Sequence, residues 1–90
     1  MTDIVELRAQ IEAVDRDIID SIATRLEIAD ELAKAKKECS EVYWDSSREG
    51  GVIDRYMELC EEVGLSEAEA RRIAELILSI SKERQRHYFE

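Results

Sequence analysis

The chain has 90 residues, enough for a single modest core, and we expect residues 1–90 to form one domain. It has no proline, only three glycines and many strong helix formers, so its composition predicts an all-helical protein. The net charge of −9 argues against a nucleic-acid or anionic-membrane partner, since both require a basic face. It leaves room for a small acidic ligand, because a local cluster of cations can hold an anion within a negative protein.

The sequence shows no pattern typical of export or membrane insertion. Met1 is followed by charged residues of the first predicted helix, so we expect no signal peptide, and no apolar run is long enough to span a membrane. A cytoplasmic protein is the default expectation. Cys39 and Cys60 are too few and too far apart for a metal-binding pattern, so we expect both thiols to be core residues in a reducing compartment.

The first predicted helix begins at Thr2 or Asp3, either of which can cap it, and continues to about Glu41 because no glycine or proline interrupts it. Its apolar and small residues recur at steps of three and four along one face: Ile4, Leu7, Ile11, Val14, Ile18, Ser21, Ile28, Leu32, Ala35 and Cys39. Roughly 38 residues at about 1.5 Å each span near 57 Å, whereas a compact chain of this length has a radius of gyration of about 12 Å. The length therefore predicts that a second copy of the chain covers much of this face, as a homodimer.

The first break falls between Ser40 and Ser47, where Asp45-Ser46-Ser47 is a capping signal. A second helix is predicted from about Ser47 to Val63, and Gly64 closes it as a C-terminal cap. Its predicted buried face consists of Val52, Ile53, Tyr56, Leu59, Cys60 and Val63.

A third helix opens with Ser66-Glu67-Ala68-Glu69, which fits a capping box, and runs close to the C-terminus. Its inner face begins apolar and turns polar in the last third: Ile73, Leu76, Ile77, Ile80, Ser81, Arg84, Gln85 and Tyr88. His87 lies near the end of this helix, where we expect it to be exposed.

Polar residues interrupt these apolar faces in three places: Arg25 with Lys36, Arg48 with Glu49, and Ser81 with Gln85. Arg25 and Lys36 are eleven residues apart, about 1100° of rotation, and so share a helix face within about 20°. Ser81 and Gln85 are one turn apart and point the same way. A small dianion between the helices would provide a partner for all of these groups.

Each of these residues also has an ordinary structural interpretation. Arg25 could form a buried ion pair or extend to water along the apolar seam. Lys36 could be a surface residue, and the polar pair on the third helix could lie at its edge. Glu49 could be the capping-box partner of Ser46.

Arg8 lies seventeen residues before Arg25 on the same rigid helix, which is roughly 25 Å. The two side chains cannot contact one small molecule from the same chain. In an antiparallel pair of first helices, Arg8 of one chain could reach the site of the other.

Four segments carry a further signal: Leu7-Arg8 through Val14-Asp15, Arg25 through Ala33-Lys34-Ala35-Lys36, Asp45-x-x-Arg48-Glu49, and Ser81 with Gln85. In this register they resemble the small all-helical (type II) chorismate mutases over nearly the whole chain. The resemblance implies an intertwined homodimer of three helices per chain. It also implies that the protein rearranges chorismate, a dianion, to prephenate on the route to phenylalanine and tyrosine.

The resemblance implies roles for the cationic residues. Arg25 and Arg8 of the partner subunit would bind the two carboxylates of chorismate, and Arg48 would add positive charge. A Claisen rearrangement is intramolecular, so the family needs no metal, cofactor or nucleophile. It needs fixed cations and hydrogen-bond donors that hold the compact conformer and stabilise the separating charge.

The resemblance also assigns the remaining polar residues. Lys36 and Gln85 would donate hydrogen bonds to the ether oxygen of the breaking bond. Glu49 would hold the ring hydroxyl, and Asp45 and Ser81 would contribute polar contacts around the substrate.

Two other functions stay open on the residues alone. A related helical scaffold eliminates pyruvate from a similar dianion, so isochorismate-pyruvate lyase is a second enzyme hypothesis. The third is a non-catalytic helical dimerisation or regulatory module whose buried arginine fixes the register of the helices.

The sequence departs from the family pattern around the start of the second helix. The loop Glu41-Val42-Tyr43-Trp44 lacks the usual proline, and Gly50-Gly51 fall in the first turns of the helix, where each costs about 1 kcal/mol relative to alanine. We therefore expect residues 42–51 to be mobile without ligand.

Overall fold

A computed structural model describes residues 3–90 of the chain. They form three helices, α1 (Ile4–Glu38), α2 (Ser46–Glu62) and α3 (Glu67–Phe89), with α3 packed against both α1 and α2. This confirms the predicted all-helical fold. Within residues 3–90, no helix combines the length and apolar character needed to cross a membrane.

Side-chain caps define where α1 and α3 begin. Asp3 accepts a hydrogen bond from the backbone N–H of Val5 at the start of α1. The other predicted cap, Thr2, lies outside the described residues. At the start of α3, Ser66 and Glu69 form the predicted capping box, in which each side chain accepts from the other's backbone N–H, at 3.1 and 2.9 Å.

Asp45 caps α2. Its Oδ1 accepts hydrogen bonds from the backbone N–H and the hydroxyl of Ser47, at 3.0 and 2.6 Å. Ser46 is therefore the first helical residue, one position before the predicted start. The alternative in which Glu49 completes a capping box with Ser46 is wrong, because the cap lies one residue earlier.

The C-terminus of α2 is closed by a residue in the left-handed conformation. Gly64 has φ 82°, its N–H donates to the carbonyl of Glu61, and the N–H of Leu65 donates to the carbonyl of Cys60 at 2.9 Å. This confirms the glycine cap predicted at Gly64.

The C-terminus of α1 has the same geometry without a glycine. Ser40 has φ 57°, and the N–H of Glu41 donates to the carbonyl of Lys36 at 2.8 Å. α1 therefore ends at Glu38, three residues before the predicted end. Ser40 is the only residue of residues 3–90 other than glycine with positive φ.

The core is small and rich in alanine, with two buried alanines on α1 and two on α3. Its buried apolar residues are Ala29, Ala33, Cys60, Ala70, Ala74, Ile77 and Leu78. Small side chains allow two helix axes to approach closely. In this packing, polar residues of α1 lie within hydrogen-bonding distance of polar residues of α3.

The predicted buried faces of α2 and α3 are partly wrong. On α2, Cys60 is buried, but Leu59 and Val63 are exposed. On α3, Ile77, Ser81 and Gln85 are buried as predicted, whereas Ile73, Leu76, Arg84 and Tyr88 are exposed and Leu78, which was not predicted, is buried. The predicted stripes were wider than the arcs that the neighbouring helices of the same chain cover.

The N-terminal half of α1 is not covered by the other two helices. All residues from 3 to 21 are exposed, including Ile4, Ile11, Val14 and Ile18. The chain measures 59 × 24 × 15 Å, and its radius of gyration is 16.5 Å. A compact chain of this length would have about 12 Å. Cys39 at the other end of α1 is also exposed, which contradicts the core interpretation of this thiol.

Candidate active site

A cavity of about 280 Å³ lies between the C-terminal half of α1, the start of α2 and the C-terminal half of α3. Seven of the eight candidate site residues predicted from the sequence line it: Arg25, Lys36, Asp45, Arg48, Glu49, Ser81 and Gln85. Ile28, Leu32, Val52 and Leu78 contribute apolar surface. The cavity thus combines apolar walls with converging polar groups, as small-molecule sites do.

Arg25 lines the cavity and extends from α1 to contact α3. Its Nη1 donates a hydrogen bond to Oγ of Ser81 at 2.7 Å, and Ser81 is only 2% exposed. No carboxylate of residues 3–90 forms an ion pair with Arg25. The buried ion pair considered from the sequence is therefore not found there, and the guanidinium keeps donors for a ligand.

Lys36 lies about three turns further along α1 and contacts both α3 and the loop before α2. Its Nζ donates to Oε1 of Gln85 at 2.9 Å and to the carbonyl of Tyr43 at 3.2 Å. An ammonium group has three donors, so one remains. Lys36 is half-buried, which contradicts the interpretation of an ordinary surface lysine.

Gln85 is 4% exposed, yet its amide is not fully used by the protein. Its Oε1 accepts from Lys36, and its NH₂ has no acceptor among residues 3–90. Since no fully buried polar side-chain atom in that range lacks a partner, the NH₂ keeps some exposure, and the cavity that Gln85 lines provides it. A fixed donor therefore faces the cavity.

The start of α2 supplies the third side of the cavity. Hydrogen bonds from Ser47 hold the pKa of Asp45 below its ordinary value, and the charges of Arg48 and Lys36 act in the same direction. Asp45 is thus ionised at neutral pH. Asp45 thus has two roles: its Oδ1 caps α2, and its side chain also lines the cavity.

Trp44 and Arg55 line the cavity but were not predicted as site residues. Nε1 of Trp44 donates to Oε1 of Glu49 at 2.5 Å. Arg55 is seven residues after Arg48, two turns on, so the two share a face of α2. Arg55 could therefore have been predicted from its spacing to Arg48. Trp44 could not, because it lies in a loop, where helical periodicity does not apply.

The cavity is locally positive within an acidic chain. Four cations line it, Arg25, Lys36, Arg48 and Arg55, against the two carboxylates of Asp45 and Glu49, a local balance of +2 in a chain of −9. None of the four cations has an ion-pair partner within 4.0 Å among the described residues. Grouped, unpaired cations favour a small anion carrying two negative charges.

Arg8 does not reach this cavity within the single chain. It is exposed on the N-terminal half of α1, roughly 25 Å along the helix from Arg25, and it does not line the cavity. His87 is exposed, as expected, and close to Glu83 and Glu90.

Comparison with known proteins agrees with this geometry. The sequence model of the family described as chorismate mutase type II matches residues 7–86. The chorismate mutase of Methanocaldococcus jannaschii is 29% identical over 87 residues, which cover 97% of this chain and 88% of that protein. The match spans all three helices and every residue that lines the cavity, so the chain belongs to the type II chorismate mutase family.

Proposed function

We propose that this protein converts chorismate to prephenate in the cavity between the three helices. The observation that carries the proposal is the group of four cations without ion-pair partners, one of which, Lys36, is hydrogen-bonded to the buried Gln85. Chorismate carries two carboxylates, which matches the local balance of +2. Family membership and the named relative support the same reaction.

The reaction breaks an ether C–O bond and forms a C–C bond within one molecule. Negative charge develops on the ether oxygen as the C–O bond breaks, and donors fixed at that point lower the barrier. Lys36 keeps one free N–H and Gln85 keeps its NH₂, so this pair supplies two donors from opposite helices. Because each holds the other in place, little reorganisation is needed when the charge appears.

The other polar residues hold the substrate in the reactive conformer. Arg25, fixed by Ser81, and Arg48 bind the carboxylates, and Glu49 accepts a hydrogen bond from the ring hydroxyl. Asp45 offers its second oxygen to the same region. Holding both ends of the substrate brings the bond-forming carbons together. Binding energy thereby offsets the entropic part of the activation barrier.

The complete site requires two copies of the chain. The exposed apolar residues from Ile4 to Ile18 form a long face that a second α1 would cover. In an antiparallel pairing, Arg8 of one chain could reach the cavity of the other. Arg8 then supplies a further cation for a carboxylate.

Two free cysteines, one of them exposed, support a reducing, cytoplasmic location.

The proposal is tested by supplying the purified protein with chorismate and following its loss and the appearance of prephenate. Isochorismate is supplied in a parallel assay, with pyruvate release as the readout. We expect prephenate from chorismate and no pyruvate from isochorismate. A folded dimer that leaves chorismate unchanged would reject the proposal in favour of a non-catalytic module.

A further inference from the structure

Trp44 contacts side chains from all three helices, although it lies in the loop between α1 and α2. Its Nε1 donates to Glu49 of α2 at 2.5 Å. Its ring centroid lies 5.9 Å from Nζ of Lys36 on α1 and 5.7 Å from Nζ of Lys82 on α3. We infer that Trp44 is a positioning residue of the active site, which fixes Glu49 through its N–H and Lys36 through its ring face. This inference rests on the proposed function.

The N–H of Trp44 determines where the Glu49 carboxylate points. Glu49 lines the candidate active site and also a neighbouring cavity of about 410 Å³ between α2 and α3. The flexible Glu49 side chain can therefore be directed into either cavity. The indole N–H is a donor only, and a hydrogen bond to a carboxylate is charge-assisted, so it holds Oε1 at the loop and leaves Oε2 for a ligand hydroxyl.

The ring of Trp44 acts on the ammonium groups. Both Nζ atoms lie within about 6 Å of its centroid, the range in which an aromatic face attracts a cation. Lys36 also donates to the carbonyl of Tyr43, the residue before Trp44, so the loop and the ammonium group hold each other in place. The indole is thus close both to Lys36 of the candidate active site and to Lys82, which lines the neighbouring cavity.

A double-mutant cycle separates positioning from simple packing. Trp44→Phe keeps an aromatic face and removes only the N–H donor. We expect it to raise KM for chorismate about tenfold with a smaller change in kcat, because a contact to the ring hydroxyl acts on bound substrate and transition state alike. In a Glu49→Ala background the same substitution should change KM less than about twofold, since its target is gone. An equal change in both backgrounds, or no change in either, would overturn the inference.

Trp44→Ala tests the ring face. Because it also removes the ring beside Lys36, we expect kcat to fall several-fold below that of Trp44→Phe. Identical kcat values for the two variants would overturn the assignment to Lys36. Circular dichroism and dimer mass verify that each variant is folded.

Fluorescence tests the contact without any turnover. Trp44 is the only tryptophan, so the emission of the ligand-free protein reports on its surroundings alone. Glu49→Ala should shift the emission, whereas Glu58→Ala, which removes an exposed carboxylate from the same helix, should leave it unchanged. No shift with Glu49→Ala would reject the Trp44 contact whatever the activity. A clear shift in a protein inactive on chorismate would reject the proposed function and the positioning role with it.

Discussion

Nζ of Lys36 donates a hydrogen bond to Oε1 of Gln85, at 2.9 Å, and so joins α1 to α3 beside the cavity. The contact fixes the orientation of the Gln85 amide, because the oxygen must face the ammonium group. The NH₂ group of Gln85 then faces the cavity. One polar contact between two helices therefore sets the position of both donors that the proposed reaction uses.

Replacing Lys36 with alanine should reduce activity far more than stability. The variant removes one donor and releases the amide of Gln85, so we expect kcat/KM to fall by about 10²–10³-fold. The free energy of unfolding should fall by only about 1 kcal/mol, because water can reach Oε1 of Gln85 through the cavity. Steady-state kinetics with chorismate and urea unfolding measure the two effects.

Lys34→Ala is the matched control for this prediction. Lys34 is an exposed lysine two positions away on the same helix, and it does not line the cavity. We expect kcat/KM within about twofold of the original protein. A large stability loss with activity retained in Lys36→Ala would show that the Lys36–Gln85 contact is structural.

Helix phase explains why four of the seven predicted polar residues of the cavity could be paired from the sequence alone. Arg25 and Lys36 share a face because of their spacing alone, and the same holds for Ser81 and Gln85. The packing of α3 against α1 then brings the two pairs together. Trp44 could not be found in this way, because its position depends on how the loop folds back over α1.

Local sequence signals predicted some helix ends well and others poorly. The ends at Ser66 and Gly64 have side chains or a glycine that specify them within a few residues. The end of α1 has no such signal, since Ser40 is an ordinary serine in a left-handed conformation. The exposure of Leu59 was missed for another reason: the burial of an apolar stripe depends on which neighbour covers it, and that is a tertiary property.

Exchanging serine and glycine at the two left-handed positions should change stability in opposite directions. Ser40→Gly should raise the free energy of unfolding by about 1 kcal/mol, because glycine adopts φ 57° without steric cost. Gly64→Ser, at φ 82°, should lower it by a similar amount. Urea unfolding at one protein concentration measures both, since association contributes to the stability of a dimer. A destabilising Ser40→Gly would show that the serine side chain has a role that its exposure conceals.

The pair of Asp30 and Arg84 should make stability depend on acid pH. Arg84 donates two hydrogen bonds to Asp30, which hold the pKa of this carboxyl below its ordinary value of 3.8. A carboxyl whose pKa is lower in the folded than in the unfolded state stabilises the protein above the unfolded pKa, and this contribution is lost as the pH falls through the folded pKa. Both side chains are 40% or more exposed, so the contribution is small.

Asp30→Asn measures this contribution. We expect the variant to be less stable than the original protein at pH 6–7, and the difference to shrink as the pH falls below about 4 and through the folded pKa. Asp54→Asn changes an exposed aspartate on α2 that forms no ion pair within residues 3–90, and it serves as the control. A difference that stays constant from pH 7 to pH 3 would show that the loss in Asp30→Asn is not electrostatic.

Mixing two inactive variants should restore activity if each site uses both chains. Arg8→Ala removes a cation supplied to the partner's site, and Lys36→Ala removes a donor from the chain's own site. After subunit exchange at equal concentrations, about half of the dimers are mixed, and each mixed dimer has one intact site and one that lacks both residues. We expect about a quarter of the activity of the original protein. Exchange is verified with differently tagged chains. No recovery in verified mixed dimers would mean that Arg8 does not act across the interface, and the exposed face of α1 would then need another explanation.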